Sequence, residues 1–393
     1  MSYLRRISTL RLLVIGAALT LFAATTAAIA LAASGGGPTP PPKPLDRAVH
    51  DALTAPAPAG VTARIHLTNA LVGESVLEGA DPLLGGASGR LWATADGRLR
   101  LELQADVSKS SAGDLELLVD GRRVTLYDPG TETVYEGQLP PRDGAEGGGE
   151  GEPPSLAQVE EGIETVLRQA DLSGAQPSDV AGQPAYTVRV SPKANGGLVG
   201  GAELAWDAAN GSPLRAAVYA KGESSPVLEI TATEIGFGSV PASVFEISPP
   251  PGVKRVQLSP PGEGEGGEPA GKPVTGLEAV QAKVSFPVSA PASLAGMQRD
   301  QVRLLSSGEG SGALVTYGKG LGGIAVLELP AGEGGGKQDG GLQLPGVSIP
   351  GATHAQQLET PLGTLIRFRR GGVEYAVVGS VTAEVAQKAA QGL

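Results

Sequence analysis

From Arg98 to Gln104 the chain reads Arg-Leu-Arg-Leu-Glu-Leu-Gln, an unbroken alternation of polar and apolar residues. Successive side chains on a strand point to opposite faces, so Leu99, Leu101 and Leu103 share one face that has to stay dry. The flanking residues extend the pattern. Gly89 to Thr94 leads in through Asp96-Gly97, a dipeptide that tolerates the positive φ of a hairpin turn. Leu115 to Val119 passes through Asp120-Gly121 into Arg123 to Tyr127, and Asp128-Pro129-Gly130 turns the chain into a further strand ending near Gln138. Roughly five strands within about fifty residues leave room only for tight connections, which predicts an antiparallel meander in one curved sheet.

A core for such a sheet must come from Leu, Val, Ile and Ala, because aromatic residues make up only 4% of a chain that is 41% hydrophobic. The two tryptophans, Trp92 and Trp206, both fall in predicted strands. Length allows two domains, and the 59 glycines and 32 prolines gather in tracts that read as linkers. With no cysteine, disulfides, thiolate metal sites, thiol nucleophiles and lipid attachment at an N-terminal cysteine are all excluded. The formal net charge is -11, and loss of the first 33 residues, which carry Arg5, Arg6 and Arg11 but no acid, would take it to about -14. Such a surface repels phosphates, so no nucleic-acid partner is expected.

Those three arginines precede an uncharged stretch from Leu12 to Ala33, with Ala30-Leu31-Ala32 as a small-x-small site. Residues 1–33 read as a signal peptide or a signal anchor helix, long enough to cross a hydrocarbon core of ~30 Å. The arginines mark the cytoplasmic end. The rest of the chain is therefore expected outside the cytoplasmic membrane, held at its outer face by the N-terminal helix or free in the extracytoplasmic space. Residues 34–44 form a Gly/Pro linker without a fold of its own. Leu45 to Leu53 reads as a short helix, and Val61 to Thr68 as a strand with Glu74 to Glu78 as a plausible partner. After a Gly/Glu insertion from Asp143 to Pro154, Ser155 and Gln158 form a capping box for a helix to about Ala170. Its stripe of Leu156, Val159, Ile163, Val166 and Leu167 calls for a sheet face. Strands resume to Ile235, with Asn210-Gly211 as a hairpin turn. Residues 257–273 form a second linker, and 274–393 a smaller unit of strands closed by a helix from Thr382 to about Gln391.

The search for chemistry returns little. Gly318-x-Gly320-x-x-Gly323 satisfies the dinucleotide string, but it lies between two predicted strands, so a hairpin loop is expected and no helix N-terminus follows to hold a pyrophosphate. His50, His66 and His354 show no ligand spacing. The acidic tracts Glu146 to Glu152 and Glu263 to Glu268 sit among glycines and lack the rigidity of a catalytic pair. No catalytic residue, metal ligand or cofactor is therefore assigned, and the chain is not expected to be an enzyme. The basic clusters are Arg122-Arg123 and the run Arg367-Phe368-Arg369-Arg370; Arg367, Arg369 and Arg370 are candidates for holding an acidic partner segment or a headgroup.

Taken in order, Gly89-Arg90-Leu91-Trp92, Gly97-Arg98-Leu99-Arg100-Leu101-Glu102, Leu118 to Val124, Leu126-Tyr127-Asp128-Pro129 and the ending Val244 to Gly252 resemble the LolA-type lipoprotein carriers. Val315 to Val326, Glu374 to Val381 and Ala386 to Ala390 are similar to the C-terminal domain of RseB/MucB-type sigma-factor regulators. The resemblance implies an α+β fold: a half-open antiparallel β-barrel covered by helices over residues 45–256, followed by a smaller α+β domain over 274–393. It also implies a membrane anti-sigma factor as partner. A curved sheet with an apolar inner face and few aromatics to fill it leaves room for the acyl chain of a lipid or lipoprotein. The residues expected to line that room are Leu91, Leu99, Leu101, Leu103, Leu117, Val119, Leu126, Val188 and Leu204. Two functions are weighed. One is an exported cell-envelope protein that binds an acyl chain and signals or transfers it through its C-terminal domain; the other is an envelope-stress regulator with no lipid cargo.

Overall fold

The protein is described as a computed structural model covering residues 38–72, 85–106, 114–139, 155–194, 196–247, 249–258, 274–307, 310–331 and 344–393. The first unit begins with helix α1 (Leu45–Thr54) and strands β1 (Gly60–Asn69), β2 (Ala87–Thr94), β3 (Leu99–Ala105), β4 (Leu115–Asp120), β5 (Arg123–Asp128) and β6 (Thr133–Gln138). Helix α2 (Leu156–Leu167) follows, then β7 (Ala170–Leu172), β8 (Gln176–Val180), β9 (Gln183–Pro192), β10 (Val199–Asp207), β11 (Pro213–Ala220), β12 (Pro226–Phe237) and β13 (Lys254–Leu258). Among the described residues these strands form one thirteen-stranded sheet in the order β13-β6-β5-β4-β3-β2-β1-β12-β11-β10-β9-β7, with β8 paired to β9. The pairing is antiparallel except where β13 runs parallel to β6.

The meander from β2 to β6 is the one the alternation predicts. Leu99, Leu101 and Leu103 of β3 stand opposite Val119, Leu117 and Leu115 of β4, so the dry faces of neighbouring strands coincide. At the first turn Thr94 N–H donates to Arg98 C=O at 3.0 Å. That leaves three connecting residues with Gly97 at φ 88°, a three-residue turn in place of the expected two. Strand β1 pairs with β2 and β12. The expected partner at Glu74 to Glu78 lies outside the described residues. The 34–44 linker is not free along its described end: Pro40 is buried, and Tyr186 Oη donates to Pro41 C=O at 2.7 Å. Extended proline-rich backbone makes no hydrogen bonds of its own, so its carbonyls remain available to a sheet.

Helix α2 carries the expected capping box between Ser155 and Gln158. Its apolar stripe is less buried than the pattern predicts, because of this helix only Val159 is buried while Leu167 is 37% exposed. Helix α1 packs Ala48, Leu45, Val49 and Ala52 against Tyr186, Val188 and Trp206. The chain is mostly β, with few helices.

The second unit holds α3 (Leu277–Gln281), β14 (Ser293–Leu294), β15 (Met297–Ser307), β16 (Gly310–Tyr317), β17 (Ile324–Pro330), β18 (Thr353–Thr360), β19 (Gly363–Arg370), β20 (Val373–Gly379) and α4 (Ala383–Gln391). Its seven strands form an antiparallel sheet in the order β14-β15-β16-β17-β20-β19-β18. Ala386, Ala389 and Ala390 of α4 and Val280 of α3 cover one face, over Val315, Val326, Ile366, Phe368 and Val377. Phe368 and Tyr375 stack at 4.9 Å inside this core. Glycines 318, 320 and 323 join β16 to β17, which is the hairpin loop expected of them.

The two units touch where residues 196–198 meet the end of β20. Leu198 N–H donates to Ser380 Oγ at 2.9 Å and Ser380 C=O at 3.1 Å. Gly197 sits at φ 62°, and a Cβ there would lie 1.9 Å from Ser380 C=O, so only glycine permits the approach. Gly197→Ala is expected to open this contact, read as faster hydrogen exchange at the Leu198 amide, while protection inside each sheet stays as it is.

Candidate functional site

The alternation that organises the second sheet is reversed on β17. Ile324, Val326 and Glu328 face the core, whereas Ala325, Leu327 and Leu329 face away from it. An antiparallel sheet with helices on one side normally turns polar residues to the other. Here the strand's one charged side chain is inside and its leucines are outside.

The outer face continues across the register. Gln301, Thr316, Ala325, Val378, Leu365 and Leu358 stand in one row across β15, β16, β17, β20, β19 and β18. The next row is Arg303, Leu314, Leu327, Ala376, Arg367 and Gln356. With the 318–323 loop and residues 360–363 as walls, the first row floors a groove of about 750 Å³. Two of the few exposed large apolar side chains lie in it: Leu321 at 58% and Val378 at 48%. A Cβ on Gly363 would lie 2.3 Å from the Gly379 carbonyl, so glycine lets the strand ends close up under the groove. Asp300 and Lys319 stand in the lining and leave it nearly neutral.

Of the three candidate arginines, two border this face. Arg367 and Arg369 hold Glu374 at 2.9 and 3.3 Å. Burial pushes the Glu374 carboxyl up, but the hydrogen bond and charge of Arg367, joined by Arg369, outweigh it and keep the carboxyl below its usual range. The pair of guanidiniums on one carboxylate leaves a local excess of positive charge. Arg370 is separated from them: it donates to Pro350 C=O at 2.7 Å and lies over the Phe368 ring.

On the core side, Glu328 is fully buried. Its Oε2 accepts from Ser289 N–H at 2.9 Å and its Oε1 has no partner. Burial pushes its carboxyl up to about 7, with the Ser289 hydrogen bond pulling weakly the other way. Burial, and behind it the charge of Glu328, raises the Tyr317 hydroxyl to about 12. Glu328 thus supports the core in its protonated form.

In the first unit the expected acyl-chain residues divide. Leu99, Leu101, Leu103, Leu117, Val119 and Leu126, between 0% and 7% exposed, form one cluster with Leu91 packed on it. No helical residue belongs to that cluster among the described residues. Val188 and Leu204 lie in another cluster, under α1. A helix therefore covers the β9–β10 region and not the leucine face.

One constellation escaped the sequence reading. His66 Nδ1 lies 3.2 Å from Ser88 Oγ, which donates to Asp106 Oδ1 at 2.8 Å, and Asp106 Oδ2 is 3.8 Å from the same Nδ1. In a nucleophilic triad the hydroxyl and the carboxylate take opposite ring nitrogens. Here both crowd one nitrogen and the hydroxyl proton is given to the carboxylate, so the serine is not activated. The three positions are 22 and 18 residues apart, and only the β1–β2–β3 register brings them together. Among the described residues no group of three His, Cys, Asp or Glu side chains could hold a metal ion. No helix among them is long and apolar enough to cross a membrane, and Leu12 to Ala33 lies outside them.

The state of Glu328 sets a pH dependence. The folded chain keeps a proton up to about pH 7 that an ordinary carboxyl releases near 4.5, so this stability is complete below 4.5 and is lost as pH rises through 7. The loss is expected to reach at most about 3 kcal/mol. Exchange of the Val326 and Leu327 amides, corrected for intrinsic rates, should therefore quicken between pH 5 and 8 in the parent chain and stay level in Glu328→Gln, which keeps an acceptor for Ser289.

No family model matches the sequence, and no curated protein matches it. Solved structures do. The MucA/MucB complex of Pseudomonas aeruginosa aligns over 88% of this chain and 94% of that chain, at 16% identity and a TM-score of 0.41. A conserved protein from Thermus thermophilus aligns over 51% of this chain and 91% of that chain, at 11% identity and 0.31. A LolA superfamily protein from Nitrosomonas europaea aligns over 52% and 96%, at 10% identity and 0.21. The chain is structurally similar to MucB over 88% of its length and to LolA superfamily proteins over about half of it.

Proposed function

We propose that the protein is an exported, non-enzymatic binding protein of the cell envelope whose second sheet docks a segment of a partner polypeptide on its outer face. The observation that carries this reading is the reversed pattern of β17. Ala325, Leu327 and Leu329 face outward, and the row of Ala325 floors a groove where Val378 and Leu321 are left exposed. Apolar surface of this kind is stabilised by about 25 cal/mol for each Å² that a partner covers. Arg367 and Arg369 at its margin favour a segment with acidic residues beside its apolar ones. The resemblance to RseB/MucB-type regulators suggests the partner class: the extracytoplasmic segment of a membrane anti-sigma factor. MucB itself has been solved with the periplasmic part of MucA.

The test uses the extracytoplasmic segment of a single-span anti-sigma factor encoded beside this protein, titrated calorimetrically. Val378→Asp is expected to weaken binding tenfold or more, because it places a charge in the apolar groove. Reversal of Arg367 and Arg369 to Glu should weaken it further and reduce its dependence on salt. Unchanged binding in both variants would remove the outer sheet face from consideration.

A second reading is favoured by the leucine face of the first unit, whose cluster spans β13 to β1 with no helical residue in it among the described residues. In this reading Leu91, Leu99, Leu101, Leu103, Leu117, Val119 and Leu126 surround an acyl chain, each buried CH₂ contributing about 0.8 kcal/mol. Occupancy there would alter partner affinity by linkage. Native mass spectrometry of the chain from Ser34 onward, purified without detergent from a membrane-containing host, is expected to show a stoichiometric adduct that denaturation releases as lipid. A bare polypeptide mass that stays unchanged after incubation with lipid extract would leave the leucine face as a closed core.

A further inference from the structure

Helices α1 and α2 leave a groove of about 370 Å³ between them, lined by Leu45, Ile163, Leu167 and Leu172 with Asp46, Glu160 and Glu164 at its rim. Among the described residues its lining contains no lysine, arginine or histidine. Three bases of the surrounding segments are engaged elsewhere, while Arg47, next to Asp46 on α1, is exposed and outside the lining. Lys193 bonds the Leu167 carbonyl and pairs with Asp171, Arg168 donates to Thr165, and Lys43 pairs with Asp51.

The pattern on α2 is costly unless something sits on it. Glu160 and Glu164 are four residues apart, hence neighbours on one side of the helix, and like charges at that spacing destabilise it by a few tenths of a kcal/mol. Neither lies in the first turn, where the helix dipole would favour an acid, and no base occupies the last turn. Ile163 and Leu167 run beside them as a second stripe, and Leu167 remains exposed. An apolar stripe flanked by an acidic one is the complement of a basic amphipathic helix.

We propose that this groove docks an amphipathic helix of a partner polypeptide. Its apolar anchors would rest on Leu45, Ile163 and Leu167, and its lysines or arginines over Asp46, Glu160 and Glu164. Charge disfavours two competing occupants. The chain's own Gly/Glu tracts, with Glu146, Glu150 and Glu152 in one and Glu263, Glu265 and Glu268 in the other, are repelled by the rim, as are anionic headgroups. The site lies on the first unit, apart from the sheet face of the second, so either can fail without the other.

The test uses the full chain and a fluorescent peptide of about 18 leucine and lysine residues, long enough to hold a helix, with leucines at helical spacing. Binding is read by anisotropy at physiological salt. The combined variant Asp46→Asn, Glu160→Gln, Glu164→Gln is expected to weaken binding roughly tenfold. A control with the same net charge, Glu161→Gln, Glu223→Gln, Glu278→Gln, should change it less than twofold. Hydrogen exchange across α2 should slow when the peptide binds. Equal losses in the two triple variants would reduce the effect to overall charge and overturn the proposal. So would equal binding of a peptide with glutamate in place of lysine, or no binding by the parent chain. All six substituted residues carry their charge on partly or fully exposed side chains, and each variant is expected to keep the parent's circular dichroism spectrum.

Discussion

Every strand has to assign each of its residues to one of two faces, and a slip of one residue exchanges the faces completely. In the first sheet the rule is satisfied in the ordinary way. Leucines from β3 and β4 coincide across the register, and polar residues take the other side. Where that side is buried it is paired: Arg215 bonds Glu203, Glu229 and Tyr219 together, with Glu203 almost fully enclosed. A half-buried arginine between two carboxylates ties together the register of β10, β11 and β12, because a shift in any one of them would leave the enclosed Glu203 without its partner.

The second sheet satisfies the same rule at a penalty. Moving Glu328 to the outer face would require β17 to slip by one residue, which would also turn Ile324 and Val326 out of the core. A slip would exchange them for Ala325, Leu327 and Leu329, so burial on this strand alone does not decide the register; the short 318–323 hairpin and the pairing with β16 and β20 do. The glutamate therefore stays in, and Leu327 and Leu329 have to face out. The outward leucines are then a consequence of how β17 resolves its conflict, and Leu314, Leu365 and Val378 of β16, β19 and β20 stand beside them on the same face, interspersed with Thr316, Arg367, Arg369 and Glu374.

Much of this was legible in the chain. The meander, the capping box at Ser155, the hairpin at 318–323 and the final helix follow from period-two and period-3.6 patterns with local turn and cap chemistry. What the sequence could not supply was long-range register. Nothing local tells β1 to pair with β12, or Val188 and Leu204 to fall under α1 while Leu99 and Leu117 do not. The arginine run looked uniform, yet alternation sends Arg367 and Arg369 to one face and turns Arg370 away. The groove was half-visible: Ile-Ala-Val-Leu-Glu-Leu is a strand in which neither face is polar throughout, so the pattern alone does not say which face meets solvent.

The joint between the units limits how far the two can communicate. Ser380 lines the groove and also receives Leu198 N–H, so a segment seated against Gly379 and Ser380 touches the contact directly. Both Leu198 bonds come from one N–H and count as one, and the further bond from Ser380 Oγ to Gly196 C=O is long at 3.5 Å, so hydrogen bonding at the joint is worth about 1 kcal/mol. Through hydrogen bonding alone, groove occupancy and the arrangement of the units can bias one another by about fivefold. A larger coupling requires apolar surface to be covered or exposed at the same joint.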